Sequence, residues 1–368
     1  MNKRILTVCS TLDFVNYTRR ATIEEIWKQH QQTDILLYNS LKNYFKPKNI
    51  IKGPAFYFYH FLVPESLKRY ALWSGFEYFL RKWYWKRLFS KYEVIFFTDP
   101  NQYYLLPYTN ESHKIIYLIR DPSILLDKGN YAKELPIIRR ANAILAVSHH
   151  LVSYYFEKYY GFVPVNVHYW PNTVDLALWD IKKWEQERRP HQRPVAGFAG
   201  NINYVIDLDL ISYLASKNPQ IDFEMAGKIA CSAEEQQKLD KLLALPNVKH
   251  LGFIPFNQFP SVVINWDIGL VVAKTNHEFG RYLNNNKQFQ YLALGKPFVT
   301  FRYDADYEEF GDLVFVASSK EEYSQMLTRA LNKAIDPPTL NLALSIASKN
   351  SALSRANQFV EIVNNLVE

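Results

Sequence analysis

The sequence predicts an α/β protein in two halves, each a parallel sheet with helices on both faces. In the first half, short apolar runs at 4–9, 35–38, 94–97, 115–119 and 143–147 alternate with longer helical stretches. Such alternation is the pattern of parallel strands joined by crossover helices. Residues 180–194, DIKKWEQERRPHQRP, are charged, punctuated by proline and lack an apolar face, as an interdomain connection would. The strand and helix pattern then restarts at Val195. At 368 residues the chain is long enough for two domains with a sizeable core each. The expected division is 1–179 for the first domain, 180–194 for the linker and 195–368 for the second.

Each half can be justified in chain order. The start, MNKRILTVCSTLDF, has too short an apolar stretch for a signal peptide and reads as the first buried strand. Ligands of open α/β sheets gather at the carboxyl ends of strands, which directs attention to residues 10–20, 98–101, 120–123 and 148–150. In the second half, VAGFAGNINYVIDLDLISYLASKNPQIDFEMAG reads as strand, glycine-containing turn, helix and strand. Residues 268–272 form a short apolar run suited to a strand buried on both faces. Asn284, Asn285 and Asn286 are favoured helix N-cap residues, which places Lys287 in the first turn. The unpaired N–H groups and positive dipole end of such a helix attract an anion, and Lys287 adds a full charge. The plainer alternative is a capped helix with a solvated lysine.

The stretch 246–300 carries an ordered series of short motifs: Pro246-Asn247-Val248, Leu251-Gly252, Pro255-Phe256, Trp266-Asp267-Ile268-Gly269-Leu270, Lys287, Tyr291-Leu292-Ala293 and Gly295-Lys296-Pro297. Earlier come a Val147-Ser148 strand end and Pro171-Asn172-Thr173-Val174-Asp175, and later KNSALSR at 349–355. In this order and spacing the chain resembles GT-B glycosyltransferases of the group 1 type, many of which build bacterial surface polysaccharides. The resemblance implies two Rossmann-like domains facing a cleft, with a C-terminal helix crossing back to the first. It implies a nucleotide-sugar donor as substrate, a glycan or lipid-linked acceptor, no cofactor and a retaining transfer. On the donor side it points to Gly200, Asn201, Asn203, Lys228, Arg281, Asn285, Asn286, Lys287 and Gln290. Gln290 stands where relatives carry a ribose-binding Glu; its amide can still donate and accept. The partner carboxylate of that pattern would fall at Tyr282, with Glu278 nearby but off register. The Arg and Lys that often follow the glycine turn are also missing.

The first domain of such enzymes supplies the acceptor side. Arg120-Asp121-Pro122 follows a predicted buried strand, and the proline stops the strand there. Asp121, with Arg120, is the leading catalytic candidate, able to orient an acceptor hydroxyl or stabilise developing positive charge. The alternatives are that Asp121 pairs with Arg120 or caps the next turn. Asp99, His149 and Arg19 are further acceptor-side candidates at strand ends or the next helix start. The one Asp-x-Asp near the glycine turn, Asp207-Leu208-Asp209, reads as a helix start, so no metal is expected.

Residues 68–91 carry a local net charge of +6 against +7 for the whole chain, interleaved with aromatics. Arg81, Lys82, Trp83, Trp85, Lys86 and Arg87 are the expected face for an anionic membrane surface. The alternative is a core-packed helix with a wet basic face. No nucleic-acid motif accompanies the segment, and no nucleic-acid partner is expected. Two cysteines, Cys9 and Cys231, fall in different predicted domains and make no disulfide framework, which suits the cytoplasm. No apolar run approaches the ~18 residues of a membrane span. The expectation is a cytoplasmic protein, peripheral at the inner face of the membrane. Against the transferase stand a catalytically degenerate glycan- or partner-binding protein and a sugar-nucleotide epimerase, since fold alone does not fix function.

Overall fold

The computed structural model describes residues 4–10, 17–39, 53–60, 71–275, 278–303 and 307–367. They form two compact units, Met1–Pro171 with Ala352–Glu368, and Asn172–Ser351. The first holds β1 (Ile5–Ser10), β2 (Thr33–Asn39), β3 (Phe56–His60), β4 (Val94–Phe97), β5 (Lys114–Ile119), β6 (Ala143–Ala146) and β7 (Val167–Tyr169). Their order across the sheet is β3-β2-β1-β4-β5-β6-β7, and every pairing is parallel. The second holds β8 (Val195–Ala199), β9 (Asp222–Ala226), β10 (Val248–His250), β11 (Ile268–Val271), β12 (Phe298–Phe301) and β13 (Val314–Ala317). Their order is β10-β9-β8-β11-β12-β13, again all parallel. In both sheets the order reverses beside the unit's first strand, at β1/β4 and at β8/β11. Those are the points where doubly wound sheets hold ligands.

The central strands are apolar because helices cover both faces. Every residue of β4 (VIFF), β6 (AILA), β11 (IGLV) and β12 (FVTF) is buried. The second core gathers Phe198, Trp266, Leu270, Tyr291 and Phe298 around β8, β11 and β12. In the first unit the closing helix Ala352–Val367 packs on the helix Tyr17–Gln29. Its Phe359 meets Phe96 of β4 with ring centroids 4.7 Å apart. Gln358 donates to the Tyr169 carbonyl at 3.1 Å, and the Trp170 indole donates to the Arg355 carbonyl at 3.2 Å. The C-terminal helix therefore belongs to the first unit, as the resemblance implies.

The chain passes between units at Pro171/Asn172 and at Ser351/Ala352, not across 180–194. That segment is part of the second unit because its neighbours are anchored. Trp179 is 1% exposed, the Trp184 indole donates to the Leu178 carbonyl at 2.7 Å, and the Arg189 N–H donates to Asn265 at 2.7 Å. Burying one large apolar side chain contributes about 1.5 to 3 kcal/mol, enough to hold a charged segment against its core. In the first unit two strands, β3 and β7, were not expected, and in the second neither β10 nor β13 was. β3 precedes the basic stretch of 68–91, and β7 is only three residues long.

Candidate functional site

In the second unit, two turns cross at the carboxyl ends of β8 and β9. The Gly200 N–H donates to the Ala226 carbonyl at 2.8 Å, and the Ile202 N–H donates to the Lys228 carbonyl at 2.9 Å. The approach is close enough to require glycine on both sides. A Cβ on Gly227, at φ +144°, would lie 2.0 Å from the Gly200 carbonyl oxygen. A Cβ on Gly200, at φ +153°, would lie 2.7 Å from Lys287 Cε and 3.1 Å from its Nζ. Backbone at such φ values is strained for any other residue.

Lys287 reaches this turn from the helix Asn286–Ala293, which connects β11 to β12. Its ammonium lies 5.4 Å from the Phe198 ring centroid, and no carboxylate among the described residues pairs with it. Desolvation lowers its pKa to about 8. Asn285 is the N-cap, yet its side chain makes no capping bond, and its buried amide nitrogen has no partner among the described residues. Gln290 is 5% exposed and makes no side-chain hydrogen bond among them. The first helical turn thus presents an unneutralised cation, an unused amide and Asn286 at the dipole's positive end.

The other donor-side candidates, and the N-cap and helix-start residues beside them, divide. Asn284 is structural: its side-chain oxygen accepts from the Asn172 N–H at 3.2 Å and its carbonyl accepts from the Asn172 amide at 2.6 Å. Asn203 accepts from the Val205 N–H at 3.2 Å, which shapes the turn, and Asn201 is exposed on it. Lys228 and Arg281 are exposed and unpaired among the described residues; nothing gathers Arg281 to the turn. Asp207 caps the helix Leu208–Lys217 by accepting from the Leu210 N–H at 2.9 Å, and Asp209 pairs with Lys238 at 2.7 Å.

In the first unit, a pocket of about 170 Å³ lies at the carboxyl ends of β4 and β5, lined by Asp99, Arg120, Asp121, Ser123 and Glu134 among others. Arg120 faces Asp99 at 3.9 Å, and Asp121 has no hydrogen-bond or ion-pair partner among the described residues. Both alternatives for Asp121 are therefore unmet: it neither pairs with Arg120 nor caps a turn. Asp99 itself is a capping residue, accepting from the Asn101 backbone N–H at 2.8 Å and from its amide at 2.9 Å.

Glu134 is the residue that sequence reasoning missed. It is 1% exposed and accepts from Tyr117 at 2.7 Å, Ser123 at 2.6 Å, Tyr155 at 2.8 Å and Tyr160 at 2.5 Å. Burial raises its pKa, although the four hydroxyls pull the other way. Its signal was present: Glu134, Ile137 and Ile138 stand at i, i+3 and i+4, an acid on the core stripe of its helix. Of the other acceptor-side candidates, His149 stacks on Tyr169 at 3.9 Å, a packing role. Arg19 lies within the helix Tyr17–Gln29, beyond residues 11–16, which are outside the described residues.

The basic aromatic segment forms the helix Ala71–Phe89, with Lys68 and Arg69 outside the described residues. Two of the six residues expected on a membrane face point elsewhere. Trp85 is 2% exposed, and Arg81 pairs with buried Glu77 at 3.0 Å while its guanidinium lies 5.3 Å from the Trp85 ring. Helical periodicity explains this: Glu77, Arg81, Trp85 and Leu88 share one stripe, and that stripe is the core face. Trp83 is 81% exposed, and Phe76, Phe79, Leu80 and Tyr84 join it outside with Lys82, Lys86 and Arg87 alongside. No helix among the described residues is long and apolar enough to cross a membrane.

No protein-family model matches the sequence, and no curated protein matches it. Solved structures resemble it closely in shape. HepE of Anabaena, solved with UDP-glucose, aligns with a TM-score of 0.71 at 14% identity over 99% of this chain and 100% of its own. Sucrose-phosphate synthase of Thermosynechococcus elongatus aligns at 0.73 with 12% identity over 99% of both chains. A glycosyltransferase of Rickettsia africae aligns at 0.71 with 12% identity over the full length of both. At such identities the likeness speaks for architecture alone, and together with the two all-parallel sheets it establishes that this chain has the two-domain α/β GT-B fold.

Proposed function

We propose that the protein is a glycosyltransferase that moves a sugar from a nucleotide-sugar donor to a glycan or lipid-linked acceptor. The observation that carries this reading is Lys287: a desolvated ammonium without a counter-ion, set at a helix start against a Cβ-free turn. An anionic diphosphate would supply the missing charge and accept from the unused N–H groups. Gln290 would meet the ribose hydroxyls. HepE, of the same fold, was solved with UDP-glucose, which favours a nucleoside diphosphate sugar here.

In this reading Asp121 orients the acceptor hydroxyl or steadies positive charge at the anomeric carbon, and Arg120 is held beside it by Asp99. The acceptor oxygen bonds to the anomeric carbon as the bond to the diphosphate breaks, and the hydroxyl proton leaves with the diphosphate. We propose a retaining, metal-independent transfer. A second reading, a binder that does not turn over, draws on Gln290 standing in place of a carboxylate. A thermal-shift panel of UDP-, GDP- and dTDP-sugars, followed by product analysis in excess EDTA, tests the proposal. Stabilisation by one donor family with sugar transfer supports it. Stabilisation without transfer to any acceptor or to water favours the binder, and no stabilisation by any of them removes it.

The exposed face of Ala71–Phe89 fits an anionic membrane at the cytoplasmic surface, where a lipid-linked acceptor is presented. Replacing Lys82, Lys86 and Arg87 by Gln should abolish sedimentation with acidic vesicles and leave donor binding intact. Equal recovery of parent and variant would make these charges a merely wet helix face.

A further inference from the structure

The opposite ends of the second sheet hold a different cation cluster. Pro194, Asp267 and Lys296 come just before β8, β11 and β12, at the amino ends of those strands. Together with residues 188–193 they wall a cavity of about 510 Å³. That volume lies within the ~300–1,000 Å³ typical of small-molecule sites. It is separated from the Gly200 turn by the length of β8, roughly 15 Å at ~3.3 Å per residue.

The cavity is built rather than incidental. The Arg189 N–H donates to the Asn265 side chain at 2.7 Å, His191 Nε2 lies 2.6 Å from the Asn265 carbonyl, and Asp267 accepts from the Val195 N–H at 2.8 Å. Arg193 is engaged by Asp222 at 3.3 Å. These contacts fix the wall and leave three cations unanswered. Lys296 is 6% exposed and lines the cavity, and its ammonium has no hydrogen-bond or ion-pair partner among the described residues. The Arg188 and Arg189 guanidinium groups are likewise unpaired among them. Burial, and then the neighbouring Arg188, lower the Lys296 pKa to about 8, only partly offset by Asp267 and Glu185. A lone ammonium buried beside a second cation is costly unless an anion joins it.

We propose that this cavity binds a small phosphate-bearing molecule, at a site distinct from the donor turn. Lys296 forms its floor contact, and Arg188 and Arg189 close on the phosphate oxygens as bidentate donors. The two exposed arginines give the site a salt-dependent component, and the buried lysine gives it specificity for a group compact enough to enter.

Calorimetric titration of the full chain with inorganic pyrophosphate tests this, using parent, Lys287→Ala, Lys296→Met and the double variant Arg188→Gln/Arg189→Gln. The expected result is a pyrophosphate site that survives Lys287→Ala and weakens at least tenfold in Lys296→Met, while UDP affinity in Lys296→Met matches the parent. The double variant covers the case in which Lys296→Met fails to fold, because both arginine side chains lie on the surface; it too should weaken the site at least tenfold. Absence of any pyrophosphate binding in Lys287→Ala, or unchanged binding in the variants of the cavity, overturns the proposal. Neither result depends on whether the donor turn binds a nucleotide.

Discussion

At the carboxyl ends of β8 and β9 the second unit sets an ammonium without a counter-ion against a turn that lacks Cβ atoms. At the ends of β4 and β5 the first unit sets a carboxylate without a cation beside an arginine already facing Asp99. The contrast is one of means as well as sign. The Gly200 turn depends on backbone proximity, so small changes of shape should disturb it most. The Asp121 pocket depends on side chains from neighbouring strands, so changes of charge should. A surplus of positive charge suits a diphosphate, and an unpaired carboxylate suits a hydroxyl or a developing cation.

The sharpest test of this division is Asp121→Asn. It should lower sugar transfer by roughly 100-fold or more, the usual scale for a positioned carboxylate, with nucleotide affinity unchanged. Equal transfer rates in steady-state assays would end its catalytic assignment. Gly227→Ala should do the reverse. Its Cβ would meet the Gly200 carbonyl at 2.0 Å, so the two turns must separate, at a cost of about 1 to 3 kcal/mol in stability and with weakened nucleotide binding. Thermal melts and titrations matching the parent would show that the crossing has no role in binding.

A smaller effect belongs to Glu134. Its folded pKa lies above the ordinary 4.5, so its contribution is fully present below the unfolded value and is lost as pH rises through the folded one. Melting temperatures of the parent minus those of Glu134→Gln should therefore be most favourable near pH 4 and decline toward neutral pH. A difference independent of pH would mean that the carboxyl titrates as it does in water.

How much of this could be read beforehand followed from how local each feature is. The strands at 94–97 and 143–146 and the helix start at Asn286 are set by contiguous residues, and the expected positions agree to within a residue. Gly200 and Lys287 were legible as motif members, but their contact joins positions far apart in the chain. Asn284 shows the same limit: its partner, Asn172, lies 112 residues away, so a residue read as a cap proves to be a tie. Asp121 was weighed as a partner for the adjacent Arg120, whereas Arg120 faces Asp99, just past the end of the neighbouring strand β4, a nearness that sequence does not display. Trp85 was misassigned for a different reason. Charge and aromatic content were summed over the segment, whereas the 3.6-residue repeat puts Trp83 and Trp85 on nearly opposite sides of the helix. The 180–194 segment repeats that lesson, since its overall charge masked the anchoring Trp184, and buried Trp179 stands just before it.

The reading rests most heavily on a diphosphate meeting Lys287, and one calorimetric series addresses it: the nucleoside diphosphate selected by the donor panel, titrated into parent and Lys287→Ala across pH. The expected loss in the variant is about 1.5 to 3 kcal/mol, the scale of a charge-assisted hydrogen bond. In the parent, affinity should hold below about pH 8 and fall above it, because the depressed pKa of the free protein makes the ammonium lose its proton there, well before an ordinary lysine would. Equal affinities for parent and variant, with no decline in either as pH rises, would contradict the assignment of the donor site to this turn.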